Sequence, residues 1–432
     1  MNSEFKPYLS VVVCSRNDNH GEGMMKRQQI FADCLIAQAE EYQIPMELVF
    51  VEWNPPPENQ SIATAMRWPK TSRFCNVRII QVPNELHSKL RSSENLPLFQ
   101  MIAKNVGVRR AKGEFVLCTN VDVIFSDALC RYIKNGLRKG VLYRNNRYDV
   151  DRNIPEFKDI ETTLAYSRDN LVRKNMPNGT YLKSDGKWIH AAQMNNYVPL
   201  LSPTLEALSE LIVDKWWIYK CLLKKIKYLK TKRYINSQSI LKPFSLLVSR
   251  MIYSVIKTGY LLLGAAAITP LVFKRKSRKQ LFAKLFNARS LKRCFTKFLT
   301  LNTNACGDFT LLDKQSWEAC RGYWEFEGYS WHLDTFFLLQ AESNGIKFKM
   351  LPDDCIIYHI DHGGGWSPEE SEKLFKRLDD KGIPYLTNQD IYDREFLMHK
   401  NQKAGIKTIY NNENWGFGQY SLDEIPVSNM IT

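Results

Sequence analysis

Residues 9–122 alternate strand and helix signals at a spacing that few folds accommodate. Leu9–Cys14 (LSVVVC), Glu47–Glu52 (ELVFVE), Val77–Val82 (VRIIQV) and Glu114–Thr119 (EFVLCT) are short apolar runs rich in β-branched residues. Each has the length and composition of a strand covered on both faces. Between them, Met24–Tyr42 and Leu98–Ala111 have helical composition, the second closed by Lys112-Gly113. This alternation predicts an α/β fold with a doubly wound, mostly parallel sheet. In such sheets ligands collect at the carboxyl ends of the strands. Three polar clusters stand at such ends: Ser15–Asp18, Glu52–Asn54 and Asn120–Asp122.

The last cluster carries the most chemistry. Asp122 follows a buried apolar run, and a carboxylate there is costly to bury unpaired. A hard divalent cation bridging it to a diphosphate would satisfy it and could stabilise charge on a departing nucleotide. The structural alternative is that Asp122 caps a helix beginning near Ser126.

The surrounding residues resemble GT-A glycosyltransferases, especially a family 2-like group. The resemblance lies in LSVVVCSRND, ELVFVEWNPP, LPLFQMIAKNVGVRRAKGEFVLCTNVDVIFSD, TNACGDFTLL and HLDTFFL, covering roughly residues 9–150 and 302–366. It implies a GT-A, Rossmann-like fold that moves a sugar from a nucleotide-sugar donor, with inversion and with Mn2+ or Mg2+. This chain has Asn120 where the first Asp of the family's D-x-D usually stands, leaving Asp122 as the one carboxylate.

By that resemblance Ser15, Arg16 and Asn17 line the donor nucleotide, and Glu52 meets its base or ribose with Asn54 beside it. Lys104 and Arg109 meet phosphate charge, unless they form a solvated helix face. Asn105, Asn120 and Asp308 complete the donor side, Asp308 in Cys306-Gly307-Asp308-Phe309 where the glycine permits close backbone approach. Asp334 occupies the place of the family's catalytic acid and is assigned as the base that deprotonates the acceptor hydroxyl, with Glu327 as the alternative. Either carboxylate could instead serve the start of a helix near Leu333. Several GT-A enzymes use a late histidine as a metal ligand; His359 in Tyr358-His359-Ile360-Asp361-His362 is that candidate, before a glycine-rich loop that could close.

Charge divides the chain. The formal net charge is +15, yet residues 215–300 hold 21 Lys/Arg and no Asp or Glu, while the remainder carries 39 basic and 45 acidic residues. Residues 204–301 therefore read as a basic, partly apolar helical insertion between a nucleotide-sugar half, 1–203, and a half that completes the catalytic domain with a C-terminal tail, 302–432. Within the insertion, Thr258–Phe273 is apolar but short for a span and contains Pro270. One crossing would separate two halves that the fold needs together. Contact with an anionic membrane surface through residues 215–300 is therefore expected to be interfacial, re-entrant or an even number of passes. Nucleic-acid binding is not expected, since no recognised binding motif accompanies the charge.

The N-terminus has no apolar core of a secretory signal, and no two of the ten cysteines lie closer than twelve residues, so no CxxC or zinc spacing occurs. Reduced, buried thiols in a cytoplasmic, peripherally membrane-associated protein are the expectation. Pro177–Lys187 reads as a loop. The setting expected is surface polysaccharide or glycolipid synthesis, with a glycan or lipid-linked acceptor. The rivals are a nucleotidyltransferase acting on a sugar phosphate, whose usual glycine-rich loop after the first strand is absent, and an inactive membrane-binding scaffold.

Overall fold

The computed structural model of the protein describes residues 5–19, 22–69, 72–177, 179–192, 301–362 and 368–427. These fall in one of the chain's two compact units, Met1–Tyr197 with Cys294–Thr432; the other, Val198–Arg293, lies outside the described residues. The expected insertion 204–301 is thus outside them too, apart from Leu301, and so is the glycine-rich loop after His362. Among the described residues no helix is long and apolar enough to cross a membrane.

The fold is mixed α/β with a parallel-rich sheet. β1 (Leu9–Ser15), β2 (Met46–Trp53), β3 (Cys75–Val82) and β4 (Phe115–Cys118) lie where the apolar runs predict them. β1 pairs parallel with β2 on one side and with β4 on the other, and β2 continues parallel to β3. The order therefore reverses between β1 and β4, which opens a crevice at their carboxyl ends. All residues of β1, β2 and β4 are buried, as expected for strands covered on both faces. Helix Gln100–Arg110 packs on this sheet at Gly107, where an added methyl group would stand 2.5 Å from Val12 Cγ1. Only glycine allows the helix this approach.

The C-terminal segment completes the sheet. β11 (Thr310–Asp313) inserts antiparallel between β4 and β6 (Val141–Arg144), β12 (Lys347–Met350) extends it parallel to β6, and β14 (Glu424–Pro426) closes the far edge antiparallel to β3. A second sheet has the order β10 (Lys187–Ala192), β9 (Gly179–Ser184), β8 (Leu171–Met176), β7 (Arg147–Val150), β13 (Ile357–Ile360), β5 (Val123–Phe125). β6 reaches β7 through Asn145-Asn146 and β4 reaches β5 through Thr119–Asp122, so the same two connections join the sheets and carry polar side chains between them.

Pro177–Lys187 is not a loop: it holds β9 and its tight turn into β10, with Asp185 and Gly186 both at positive φ. Two left-handed residues in succession are the turn that matches the twist of a hairpin. Turn residues spaced a few positions apart resemble a continuous loop when the strands between them are short and polar. The eight cysteines among the described residues are all free and buried, and burial pushes their thiols up.

Candidate active site

A cavity of about 350 Å³ opens on the polar residues at these connections. Its walls include Asn120 from the end of β4, Arg147 from β7, Arg173 and Asn175 from β8, Gly307 and Asp308 before β11, Asp334, and His359 and His362 from β13 and the residues just after it.

At one side Asp122, His359 and His362 converge. Asp122 Oδ2 lies 3.6 Å from His359 Nε2 and 3.7 Å from His362 Nε2. The three ligand atoms fall within 4.8 Å of one another. Two ligands at about 2.1 Å from a shared cation stand roughly 3.0–3.4 Å apart, so the two pairs that Asp122 makes are already close to that spacing and the set would close on one ion as the imidazoles draw together. Asp122 Oδ1 is buried and accepts no hydrogen bond among the described residues. A buried carboxylate oxygen left this way is costly, and a cation would satisfy it. One carboxylate with two imidazoles suits Mn2+ or a related transition metal better than an all-oxygen site would. The residues therefore fit a divalent cation. Asp122 does not cap the following helix: Ser126 does, its Oγ accepting from Leu129 N at 3.2 Å. Arg27 Nε, 3.7 Å from Asp122 Oδ2, brings a positive charge beside the set.

Asp308 is the second centre. Arg147 Nη1 and Asn120 Nδ2 both donate to its carboxylate. Asn120 Oδ1 in turn accepts from Lys104 Nζ at 2.9 Å and Gln100 Nε2 at 3.1 Å, and Lys104 Nζ reaches the Gly307 carbonyl at 2.7 Å. Thr119 Oγ1 donates to the Asp308 carbonyl at 2.6 Å. Burial pushes the Asp308 carboxyl up, but the Arg147 guanidinium, with His359 and Lys104 behind it, holds it below the usual carboxylate range. Asn120 is thus the cross-link between β4, the helix Gln100–Arg110 and the Cys306-Gly307-Asp308 turn.

Asp334 is the third. It lies in the first turn of helix Leu333–Ser343, keeps partial exposure to the cavity, and accepts from Thr335 N at 2.7 Å. Burial pushes its carboxyl above the usual range, opposed by a bond with Cys306, the Thr335 amide and the charges of Lys104 and Arg144. The helix N-cap is His332, at φ 65 and without a side-chain cap, so Asp334 is not the cap. Ala305 (φ 50) and His332, both lining the cavity, are non-glycine residues in left-handed conformation. Such strain persists where the surroundings fix it, and it gathers at functional sites.

Of the residues expected from sequence, the cavity gathers Asn120, Asp308, Asp334 and His359, with Asp122 against His359 and Lys104 buried behind. The others stand elsewhere. Ser15 ends β1 and Arg16 and Asn17 follow it, where Arg16 pairs with Asp18 at 3.5 Å and Asn17 Nδ2 donates to the Gln60 carbonyl at 2.9 Å. Both Glu52 oxygens are taken, one by Ile62 N at 2.7 Å and one by Gln81 Nε2 at 2.8 Å. Asn54 Oδ1 accepts from Asn84 Nδ2 at 3.0 Å. Asn105 faces away, clamping Tyr323 through its backbone N–H and carbonyl and bonding Glu325. Arg109 donates to the Glu413 and Trp415 carbonyls and stacks over the Trp415 ring, so it anchors the C-terminal segment. Glu327 does not line the cavity and accepts from Arg91 N at 2.7 Å.

Sequence reading missed Arg147, Asp149, Arg173 and the part of His362. Arg147 donates to Asp149 at 2.8 and 3.0 Å as well as to Asp308, and Arg173 Nη1 reaches Asp149 at 3.1 Å. The one available signal was alternation: Arg147 and Asp149 share a face of a short strand.

No protein-family model matches the chain, and no curated protein matches it. Among solved structures it is similar to the crystal structure of GalNAc-T7 with UDP, GalNAc and Mn2+, at 8% identity and a TM-score of 0.32, over 92% of this chain and 55% of that one. It is also similar to the crystal structure of S. aureus TarS, at 10% identity and a TM-score of 0.31, over 91% of this chain and 43% of that one. The chain therefore spans about half the length of each.

Proposed function

We propose that the protein is a metal-dependent glycosyltransferase of the GT-A type, moving a sugar from a nucleotide-sugar donor to a glycan or lipid-linked acceptor. The observation that carries this reading is one cavity bordered both by a fitting cation set and by a partly buried carboxylate with a raised pKa. It opens at the carboxyl end of β4, strand ends being where such sheets bind ligands, and its volume suits a small organic ligand.

The division of labour follows from the residues. Asp122, His359 and His362 would hold the cation, which supplies Lewis-acid neutralisation of the donor diphosphate. Asp334 accepts the proton of the acceptor hydroxyl as the hydroxyl oxygen attacks the anomeric carbon and the bond from that carbon to the departing nucleoside diphosphate breaks. A raised pKa makes it a stronger base than a solvated carboxylate. Asp308, the carboxylate beside it on the cavity wall, is tied to Arg147 and Asn120, and one free base without a free carboxylate nucleophile among these two favours inversion, by analogy with glycoside hydrolysis. Asp308, held by Arg147 and Asn120, presents a fixed acceptor to donor-sugar hydroxyls. The ends of β1 and β2, with Ser15–Asn17 and Asn54, supply the nucleotide side.

The test is turnover of a panel of nucleotide sugars with Mn2+, reading the nucleotide product. Release of nucleoside diphosphate, lost in Asp122→Ala, supports the proposal. Release of pyrophosphate would move the chain to the nucleotidyltransferases, and no turnover of any donor would leave the scaffold reading. A role in surface polysaccharide or glycolipid synthesis, and attachment to anionic membranes through residues 215–300, belong to the same proposal. Flotation with anionic liposomes, with and without that segment, tests the attachment; equal flotation would end it.

A further inference from the structure

The register of the second sheet sets His359 directly across from Asp149 on β7. Asp149 is fully buried, and its Oδ1 stands 3.6 Å from His359 Nδ1. That nitrogen is itself buried and makes no hydrogen bond among the described residues. The two groups are therefore facing partners a few tenths of an ångström short of a hydrogen bond.

We propose that Asp149 is a positioning residue for the cation site: its carboxylate orients His359 and keeps the imidazole proton on Nδ1, leaving the Nε2 lone pair to the cation. This rests on the reading of Asp122, His359 and His362 as cation ligands. A histidine that ligates through one nitrogen commonly donates its other N–H to a carboxylate, which fixes tautomer and ring orientation. The carboxylate is the rigid member here. Arg147 grips both its oxygens, at 2.8 and 3.0 Å, Arg173 holds Oδ2 at 3.1 Å, and Asn175 Nδ2 lies 3.4 Å from Oδ1. Facing two guanidinium groups, Asp149 acts as an acceptor, so the proton shared with His359 is the imidazole's own. The two arginines also keep the buried carboxylate compensated, which a lone buried charge would not be. The ring is left to close the gap when its Nε2 engages an ion.

Two measurements on the full chain test this. Mn2+ binding is followed by the EPR signal of the free ion in wild type and in Asp149→Asn. The expected result is a Kd weakened about 10- to 100-fold in a variant that keeps its far-UV spectrum and a cooperative melt. A folded Asp149→Asn that binds Mn2+ as tightly as wild type overturns the proposal. Because the substitution leaves Arg147 and Arg173 short of negative charge and could unfold the chain, the second measurement uses wild type. Histidine-selective 15N spectra of the metal-free protein at pH 8, with His359 identified by the signal lost in His359→Gln, report the tautomer. Protonation at Nδ1 is expected; protonation at Nε2 overturns the proposal. A wild type that binds no Mn2+ sinks the cation reading instead, while the tautomer result still decides the contact.

Discussion

The Asp122 carboxylate and the His359 imidazole stand 3.6 Å apart because their own strands pair: Ile360 N donates to the Asp122 carbonyl at 2.9 Å, and His359 lies opposite Val123. Two residues far apart in the chain thus meet through backbone register, before any ligand is considered. The same strand, β13, pairs on its other side with β7 and brings Asp149 to the far nitrogen of the same ring.

Chelation should abolish donor turnover, and Mn2+ should restore it. At about 100 times its Kd, a ligand bound only by the folded state stabilises by about 2.7 kcal/mol. A rise in wild-type Tm with Mn2+ that disappears in Asp122→Ala is the expected outcome, and His362→Gln should weaken Mn2+ binding at least ~10-fold. An unchanged Kd in His362→Gln would remove that residue from the set.

Asp334→Asn separates chemistry from stability. Loss of a general base costs about 100-fold or more in kcat. Burial raises the folded-state pKa of Asp334 above its unfolded value, so its contribution to stability is full below the ordinary carboxylate range and is lost as pH rises through the folded pKa. The amide cannot ionise, so Asp334→Asn should melt higher than wild type at neutral pH, with the difference vanishing in acid. The acid limb of wild-type kcat/KM should lie above the usual carboxylate range. A variant with full turnover would defeat the assignment.

Asn120→Asp distinguishes motif from structure. Judged by motif alone, it restores a D-x-D and should strengthen cation binding. In the folded protein Asn120 Nδ2 donates to Asp308, and an aspartate there sets two carboxylates against each other with no donor between them. The expected result is a loss of about 1–3 kcal/mol in stability, larger at pH 8 than at pH 5, with no gain in Mn2+ affinity. Tighter Mn2+ binding by titration would show that the side chain turns to the ion instead.

Gly307→Ala probes the spacing around the base. The added methyl group would stand 3.0 Å from Asp334 Oδ2, so the carboxylate must give by a few tenths of an ångström. Small displacements of reacting groups are expensive in rate; kcat should fall about 10-fold with Tm nearly unchanged. Equal losses in kcat and stability would mean that the loop itself is disrupted.

The four apolar runs located β1 to β4 to within a residue or two, because strands buried on both faces need little beyond local composition to be recognised. Of the residues around the candidate cavity, Asp308, Asp334 and His359, with Asp122 beside them, stood out as carboxylates and an imidazole beside such runs or inside a resembling motif. The polar residues of helix Gln100–Arg110 did not. Lys104, Asn105 and Arg109 look alike as exposed or ligand-facing groups, yet one ties the Gly307 turn, one clamps Tyr323 and one anchors the C-terminal segment. Glu52 looked like a donor contact, but its oxygens are filled by Ile62 and Gln81.

The amino-acid sequence by itself determined the alternation of strand and helix, the polar clusters at the ends of the strands, and the residue types that could do chemistry there. Those are local properties: apolar period, turn residues and the cost of a carboxylate beside a buried run. Only the tertiary structure decided that Asn120 bonds Asp308 instead of replacing a ligand, that His362 joins Asp122, and that Arg147 and Asp149 stand behind His359. Each depends on pairing between strands more than a hundred residues apart, β4 with β11 and β13 with β5 and β7, and a one-residue slip of β13 would turn His359 to the face opposite Asp149.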